Sequence, residues 1–149
     1  MDKPSIYLDV CVLCRPFDDQ KMMRIRLETD GYHLIMQAIQ NGVYKMVYSP
    51  VHDAEVSAIQ DVIERVELLE IIHQYGDKCG GDVQIIRKRA DEFFANGMGI
   101  ADAAHVAFAE ANADYFLSCD DRLIKQCHRQ GVDIVVMMPV EFCIQEKLR

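Results

Sequence analysis

The sequence predicts an α/β protein, with a parallel sheet of about four to five strands and helices on both faces. Two observations carry this. Short, continuous apolar runs recur at Ile6-Tyr7-Leu8, Met46-Val47-Tyr48, Tyr115-Phe116-Leu117 and Ile134-Val135-Val136-Met137, as expected of strands covered on both sides. Long segments of helical period lie between them, and crossovers of that length join parallel neighbours. A third observation sets the scale. The 149 residues suit a single domain, 1–149, and no repeat, linker or low-complexity stretch divides them.

Taken in order, the first strand ends at Asp9, and the apolar residues 10–13 follow. Arg15-Pro16-Phe17-Asp18-Asp19 is a polar loop punctuated by proline. Residues 21–40 form a helix with Ile25, Tyr32, Ile35, Met36 and Ile39 on one stripe, and Gly31 allows either one helix or two. After the second strand, Ser49-Pro50 is a helix start, with Ser as N-cap and Pro at the first helical position. Glu55 falls one turn in. The helix continues over 56–75, with Ile59, Val62, Ile63, Val66, Leu69 and Ile72 facing inward. Residues 76–81 are a break. Residues 83–96 are helical, with Ile86, Ala90, Phe93 and Phe94 inward and Arg87, Lys88 and Arg89 on a solvated face.

Residues 99–121 organise the rest. Gly97 and Gly99 stop what precedes, and Asp102 sits in the first turn of an Ala-rich helix, where the dipole favours a carboxylate. Small apolar residues on nearly every face predict that this helix is buried. Asn112 to Asp114 is turn chemistry. The third strand follows and stops at Ser118-Cys119-Asp120-Asp121. Residues 122–130 are helical up to Gly131, the fourth strand ends before Pro139, and the tail 140–148 is a terminal helix or edge segment.

Composition narrows the class. No apolar run reaches the roughly 18–20 residues of a membrane span, and the N-terminal residues show no signal-peptide pattern. The six cysteines sit mostly in apolar surroundings, which favours reduced thiols and a cytoplasmic location. A net charge of −8 argues against a broad nucleic-acid binder with a basic surface. It leaves room for an enzyme whose clustered acids hold metal cations.

Such a cluster is legible. Asp9, Glu55 and Asp120 lie at strand ends or on the helix just after, and Asp102 comes from a helix start. Functional groups gather at the carboxyl ends of strands in open α/β sheets. Four converging carboxylates repel unless a divalent cation compensates them. All-oxygen ligands suit Mg²⁺ or Mn²⁺, and the chemistry such sites serve is phosphodiester hydrolysis.

Four segments carry a family resemblance: Ile6-Tyr7-Leu8-Asp9, Ser49-Pro50-Val51-His52-Asp53-Ala54-Glu55, Asp102-Ala103-Ala104-His105-Val106-Ala107 and Ser118-Cys119-Asp120-Asp121-Arg122. In this order and spacing the chain resembles the PIN-domain nucleases over nearly its whole length. The resemblance implies a Rossmann-like sheet and Mg²⁺- or Mn²⁺-dependent cleavage of RNA. It makes Asp9, Glu55, Asp102 and Asp120 both the catalytic and the metal-holding residues. It further implies frequent dimers and, as in many small prokaryotic members, the toxin role of a toxin–antitoxin pair. Many members carry a small polar residue two positions after the first Asp, where this chain has Cys11. The alternative is therefore a catalytically weak or inactive PIN-fold module that binds RNA or a protein partner.

Several neighbours have two readings. Asp121 adjoins the site. His105, one turn after Asp102, either bonds a site carboxylate or is a satisfied core histidine. Arg15 and Arg122 either contact phosphate or pair with local acids. Asp53 and Glu28 compete with Glu55 for the fourth acidic position. Cys11-Val12-Leu13-Cys14 has CxxC spacing, but no second pair accompanies it. In an extended segment the two thiols would also point apart. Apolar residues on the helices of 21–72 exceed what one small sheet needs, which predicts a homodimer or higher oligomer.

Overall fold

The computed structural model describes residues 2–149. Its strands are β1 (Ser5–Leu8), β2 (Lys45–Tyr48), β3 (Gly76–Lys78), β4 (Tyr115–Leu117) and β5 (Val135–Met137). They form one all-parallel sheet in the order β3-β2-β1-β4-β5. The helices are α1 (Val10–Cys14), α2 (Met23–Gln40), α3 (Pro50–Ser57), α4 (Val62–Tyr75), α5 (Val83–Ala95), α6 (Ile100–Asn112), α7 (Asp121–Arg129) and α8 (Pro139–Gln145), with a 3-10 turn at Arg15–Phe17.

The period-two alternation of strands splits the core in two. Ile6 and Leu8 of β1 pack with residues of α2, α4 and α8 on one face. Tyr7 points to the other face, beside Phe116, Val106 and Phe93 from β4, α6 and α5. Both faces are covered, as the continuous apolar runs require. No helix among the described residues is long and apolar enough to cross a membrane.

Four local expectations need correction. Residues 76–78, read as part of a break, form the edge strand β3. Their Gly-Asp-Lys sequence carries no apolar signal, and an added Cβ at Gly76 would stand 2.6 Å from the Ile72 carbonyl oxygen. The helix expected over 56–75 is two helices. Asp61 caps the second by accepting from the Glu64 N–H at 3.0 Å. The reset phase turns Val62, Ile63 and Val66 to solvent and leaves Leu68 and Ile72 inside. On α5, Phe94 is exposed, whereas Arg89 is not simply solvated. It pairs with Glu110 at 2.7 Å and lies 4.2 Å above the Phe93 ring. Finally, residues 10–14 are the helix α1 rather than an extended segment, so Cys11 and Cys14 share a helical face. Gly31, by contrast, does not divide α2.

Candidate active site

The sheet order changes direction at β1: β2 and β3 extend to one side, β4 and β5 to the other. In open α/β sheets the crevice outside the carboxyl ends at such a switch point is the place for ligands. Asp9 leaves β1 there, and its backbone N–H continues the ladder onto the Leu117 carbonyl of β4 at 2.9 Å. Asp9 occupies the N-cap position of α1, yet its side chain makes no cap bond. The carboxylate instead turns to β4. The Ser118 hydroxyl donates to its Oδ2 at 2.8 Å and the Cys11 thiol at 3.4 Å.

Ser118 is also the bridge to the next acid. Its Oγ accepts from the Asp120 backbone N–H at 3.0 Å. Asp120 is the N-cap of α7: its Oδ1 accepts from the N–H groups of Arg122 and Leu123 at 3.0 and 3.2 Å. Cap and site residue are compatible, because only one oxygen is used. Cys11 fills the space beside this bridge and accepts from the Cys119 N–H at 3.3 Å.

Asp102 stands in the first turn of α6, half-buried, and no hydrogen bond among the described residues involves its side chain. Burial and the charges of Asp9, Asp120 and Glu55 together push its carboxyl up to about 6. Asp102 therefore lies within reach of the charges of the other three acids. Among the described residues no three His, Cys, Asp or Glu groups lie close enough together to hold a metal ion. The expected sharing of one cation by Asp9, Asp102 and Asp120 is thus not preformed, and like charge works against preforming it.

Glu55 is supplied by α3. Ser49 starts that helix as expected, accepting from the Val51 N–H at 3.2 Å. His52 completes a reciprocal cap. Its Nδ1 accepts from the Ser49 N–H at 3.1 Å, so its Nε2–H donates to the Leu8 carbonyl at 2.7 Å, next to Asp9. Burial lowers the His52 pKa to about 4 and keeps it neutral at pH 7. His105, one turn after Asp102 on α6, donates from Nε2 to Glu55 Oε1. That bond holds the Glu55 carboxyl below its ordinary range. Both readings of His105 hold together: it is buried, and it bonds a carboxylate.

The remaining candidates separate. Arg15 is engaged by Glu28 and Asp18, each at 2.9 Å. Asp121 is gripped by both terminal nitrogens of Arg24 at 2.9 Å. Arg122 is exposed, and among the described residues its side chain makes no ion pair. Of the two competitors of Glu55, Glu28 is buried against Arg15, and Asp53 pairs with His73 at 2.7 Å. Sequence reasoning missed Tyr7, Arg24 and the roles of His52 and Ser118. Tyr7 left one signal, a hydroxyl in the middle of an otherwise apolar strand.

The donor set fits a hard divalent cation. Four carboxylates from β1, α3, α6 and β4 reach one end of the sheet. Asp9 Oδ1, Glu55 Oε2, Asp120 Oδ2 and both Asp102 oxygens have no hydrogen-bond partner among the described residues.

No family model matches this sequence, and no curated protein matches it significantly. Solved structures do. The chain is similar to FitAcB from Neisseria gonorrhoeae, at 16% identity and TM-score 0.54, covering 90% of this chain and 97% of that one. It is similar to VapBC2 from Rickettsia felis bound to a DNA fragment from their promoter, at 13% identity and TM-score 0.54, covering 89% and 96%. It is also similar to FitAB bound to the IR36 DNA fragment, at 17% identity and TM-score 0.53, covering 91% and 95%. At these identities the likeness shows the fold, and that fold is the PIN-like one the sequence resemblance implies.

Proposed function

We propose that this chain is a divalent-metal-dependent endoribonuclease that hydrolyses RNA phosphodiester bonds with Asp9, Glu55, Asp102 and Asp120. The observation that carries the reading is the Ser118 bridge at the switch point. One hydroxyl donates to Asp9 and accepts from the Asp120 backbone, locking the acids of two adjacent strands to one place. When bound, Mg²⁺ or Mn²⁺ supplies a nucleophilic water and neutralises phosphate charge. The chain does the rest. Asp9 and Asp120 each keep one oxygen free for the cation while the other is fixed by protein donors. Glu55 is fixed the same way by His105. Asp102 adds the charge that makes the pocket favour a cation. Arg122, free at the start of α7, is the side chain placed to meet a substrate phosphate.

The test is cleavage of mixed-sequence single-stranded RNA, followed on gels with millimolar Mn²⁺ or with chelator. The proposal expects cleavage only with metal, lost on Asp9→Asn or Asp120→Asn. Two observations favour the second reading, a PIN-fold module that binds without cutting: among the described residues no three acids stand close enough together to hold a metal, and the residue beside Asp9 is the weak donor Cys11, its thiol 3.4 Å from Oδ2. RNA binding with no cleavage at any Mn²⁺ concentration would establish that reading.

The partners follow from the same resemblance. A protein partner in the manner of an antitoxin is supported by the fold's likeness to VapBC2 and FitAB, both solved on DNA. A homodimer is supported by exposed apolar residues on α2 and α4, among them Met23 and Ile63. A cytoplasmic location is supported by six unpaired cysteines.

A further inference from the structure

Behind the acids, α6, β1 and α3 are joined by a buried chain of polar groups. The Val51 N–H donates to Ser49 Oγ at 3.2 Å. Ser49 Oγ lies 2.7 Å from the Tyr7 hydroxyl, which lies 2.6 Å from His105 Nδ1. His105 Nε2 meets Glu55 Oε1. A carboxylate only accepts, so Nε2 carries the hydrogen. In the neutral ring Nδ1 then accepts from Tyr7, and Tyr7 accepts from Ser49. Burial raises the Tyr7 hydroxyl well above its ordinary value, so the phenol keeps its proton. The chain closes on itself, since Ser49 caps the helix that carries Glu55.

The core does not need this arrangement. Tyr7 and His105 are almost wholly buried, whereas the Glu55 side chain is 38% exposed and could be served by water. Burying a phenol and an imidazole costs free energy unless each is bonded. Phe and an aliphatic residue would fill the same volume at no such cost. What the polar pair adds is a fixed orientation of one half-exposed carboxylate. Groups that bond the back of a metal-ligating side chain orient it, and their loss costs 10–100-fold in metal affinity.

We propose that Tyr7 and His105 are positioning residues that hold Glu55 with its free oxygen, Oε2, turned to the divalent cation. This rests on the metal-site reading above. The experiment is a double-mutant cycle read as Mn²⁺ affinity, with free Mn²⁺ followed by electron paramagnetic resonance. Tyr7→Phe removes one hydroxyl and keeps the ring. It is expected to weaken Mn²⁺ binding about tenfold, with a melt in chelator that is lowered, since His105 Nδ1 and Ser49 lose a buried partner, but still cooperative. In a Glu55→Gln background the same substitution is expected to change affinity less than twofold, because the group it acts through is gone. His105→Gln serves as a second probe if Tyr7→Phe does not fold.

Two results overturn the inference alone: wild-type affinity in Tyr7→Phe when Glu55→Gln is weakened, or an equal loss in both backgrounds. Failure of the wild type to bind Mn²⁺, or a Glu55→Gln that binds as wild type, removes Glu55 from a metal site. That overturns the parent reading, and the inference with it.

Discussion

Glu28 is almost fully buried, and the Arg15 Nε stands 2.9 Å from its Oε1. This ion pair removes Glu28 from the acidic site and Arg15 from the phosphate-binding candidates. Breaking a buried pair leaves an uncompensated charge, so Arg15→Ala should destabilise the fold by about 3 kcal/mol. For a chain of this size that is a melting temperature lower by roughly 6–12 °C. Arg24→Ala loses exposed contacts with Asp121, a bond to the Cys119 carbonyl at 3.0 Å and the longer 3.4 Å approach to Glu28, and should lower the melt by less than Arg15→Ala. Thermal melts of both variants, with chelator present, check the contrast.

Stability should depend on pH through two groups of opposite sign. His52 titrates near its ordinary 6.5 when unfolded but at about 4 when folded. The unfolded state therefore binds more protons between these values, and stability falls as pH drops below 6.5. His52→Gln should flatten that acid limb in urea melts. Asp102 is the reverse, raised from 3.8 to about 6. Its contribution is present below about pH 4 and is lost as pH rises through 6 in the metal-free protein. Asp102→Asn should remove this loss, and a pH series of the variant in chelator checks it.

Cys11 offers a weak thiol donor to Asp9 Oδ2 at 3.4 Å. A hydroxyl is shorter and donates more strongly to a carboxylate. Cys11→Ser should tighten Mn²⁺ binding by about fivefold, the equivalent of ~1 kcal/mol. Isothermal titration of both proteins checks this; weaker binding in the Ser variant would mean the thiol's size matters more than its polarity.

The acids of the candidate site could be picked out in the sequence because acids at strand ends need only the strands to be found. Asp9 and Asp120 follow continuous apolar runs, and Asp102 follows two glycines. Ser49-Pro50 announced the helix that carries Glu55. The rest depends on contacts far apart in the chain. Nothing local distinguishes Glu28 from Glu55; the choice was made by Arg15 and Arg24 on one side and His105 on the other. Tyr7 is one hydroxyl in an apolar strand, and its partners lie 42 and 98 residues away. The strand β3 has no apolar residue at all, since it sits exposed at the sheet edge. The stripe over 56–75 held at Ile59, Leu69 and Ile72 but not at Val62, Ile63 and Val66, because Asp61 restarts the helix and changes its phase.

Ile63 is 68% exposed, with Val62 and Val66 beside it on α4, and Met22 and Met23 are exposed at the start of α2. A homodimer or a protein partner covering these residues should be sensitive to charge. Light scattering should show self-association of the wild type at micromolar concentration, and Ile63→Glu should shift it toward monomer. A wild-type monomer across that range would count against the homodimer.

The central claim is that four carboxylates form one cation site, and Asp102 tests it most directly. The measurement is a pair of thermal melts, wild type against Asp102→Asn, each with chelator and with millimolar Mn²⁺. In chelator the variant should melt at or above the wild type, because one repelling charge is gone, although most substitutions lower stability. At a hundred times the dissociation constant, Mn²⁺ should add about 2.7 kcal/mol to the wild type, roughly 5–10 °C. The variant should lose most of that shift. Equal metal-induced shifts in the two proteins would contradict the account, and a variant much less stable in chelator would make Asp102 a structural residue.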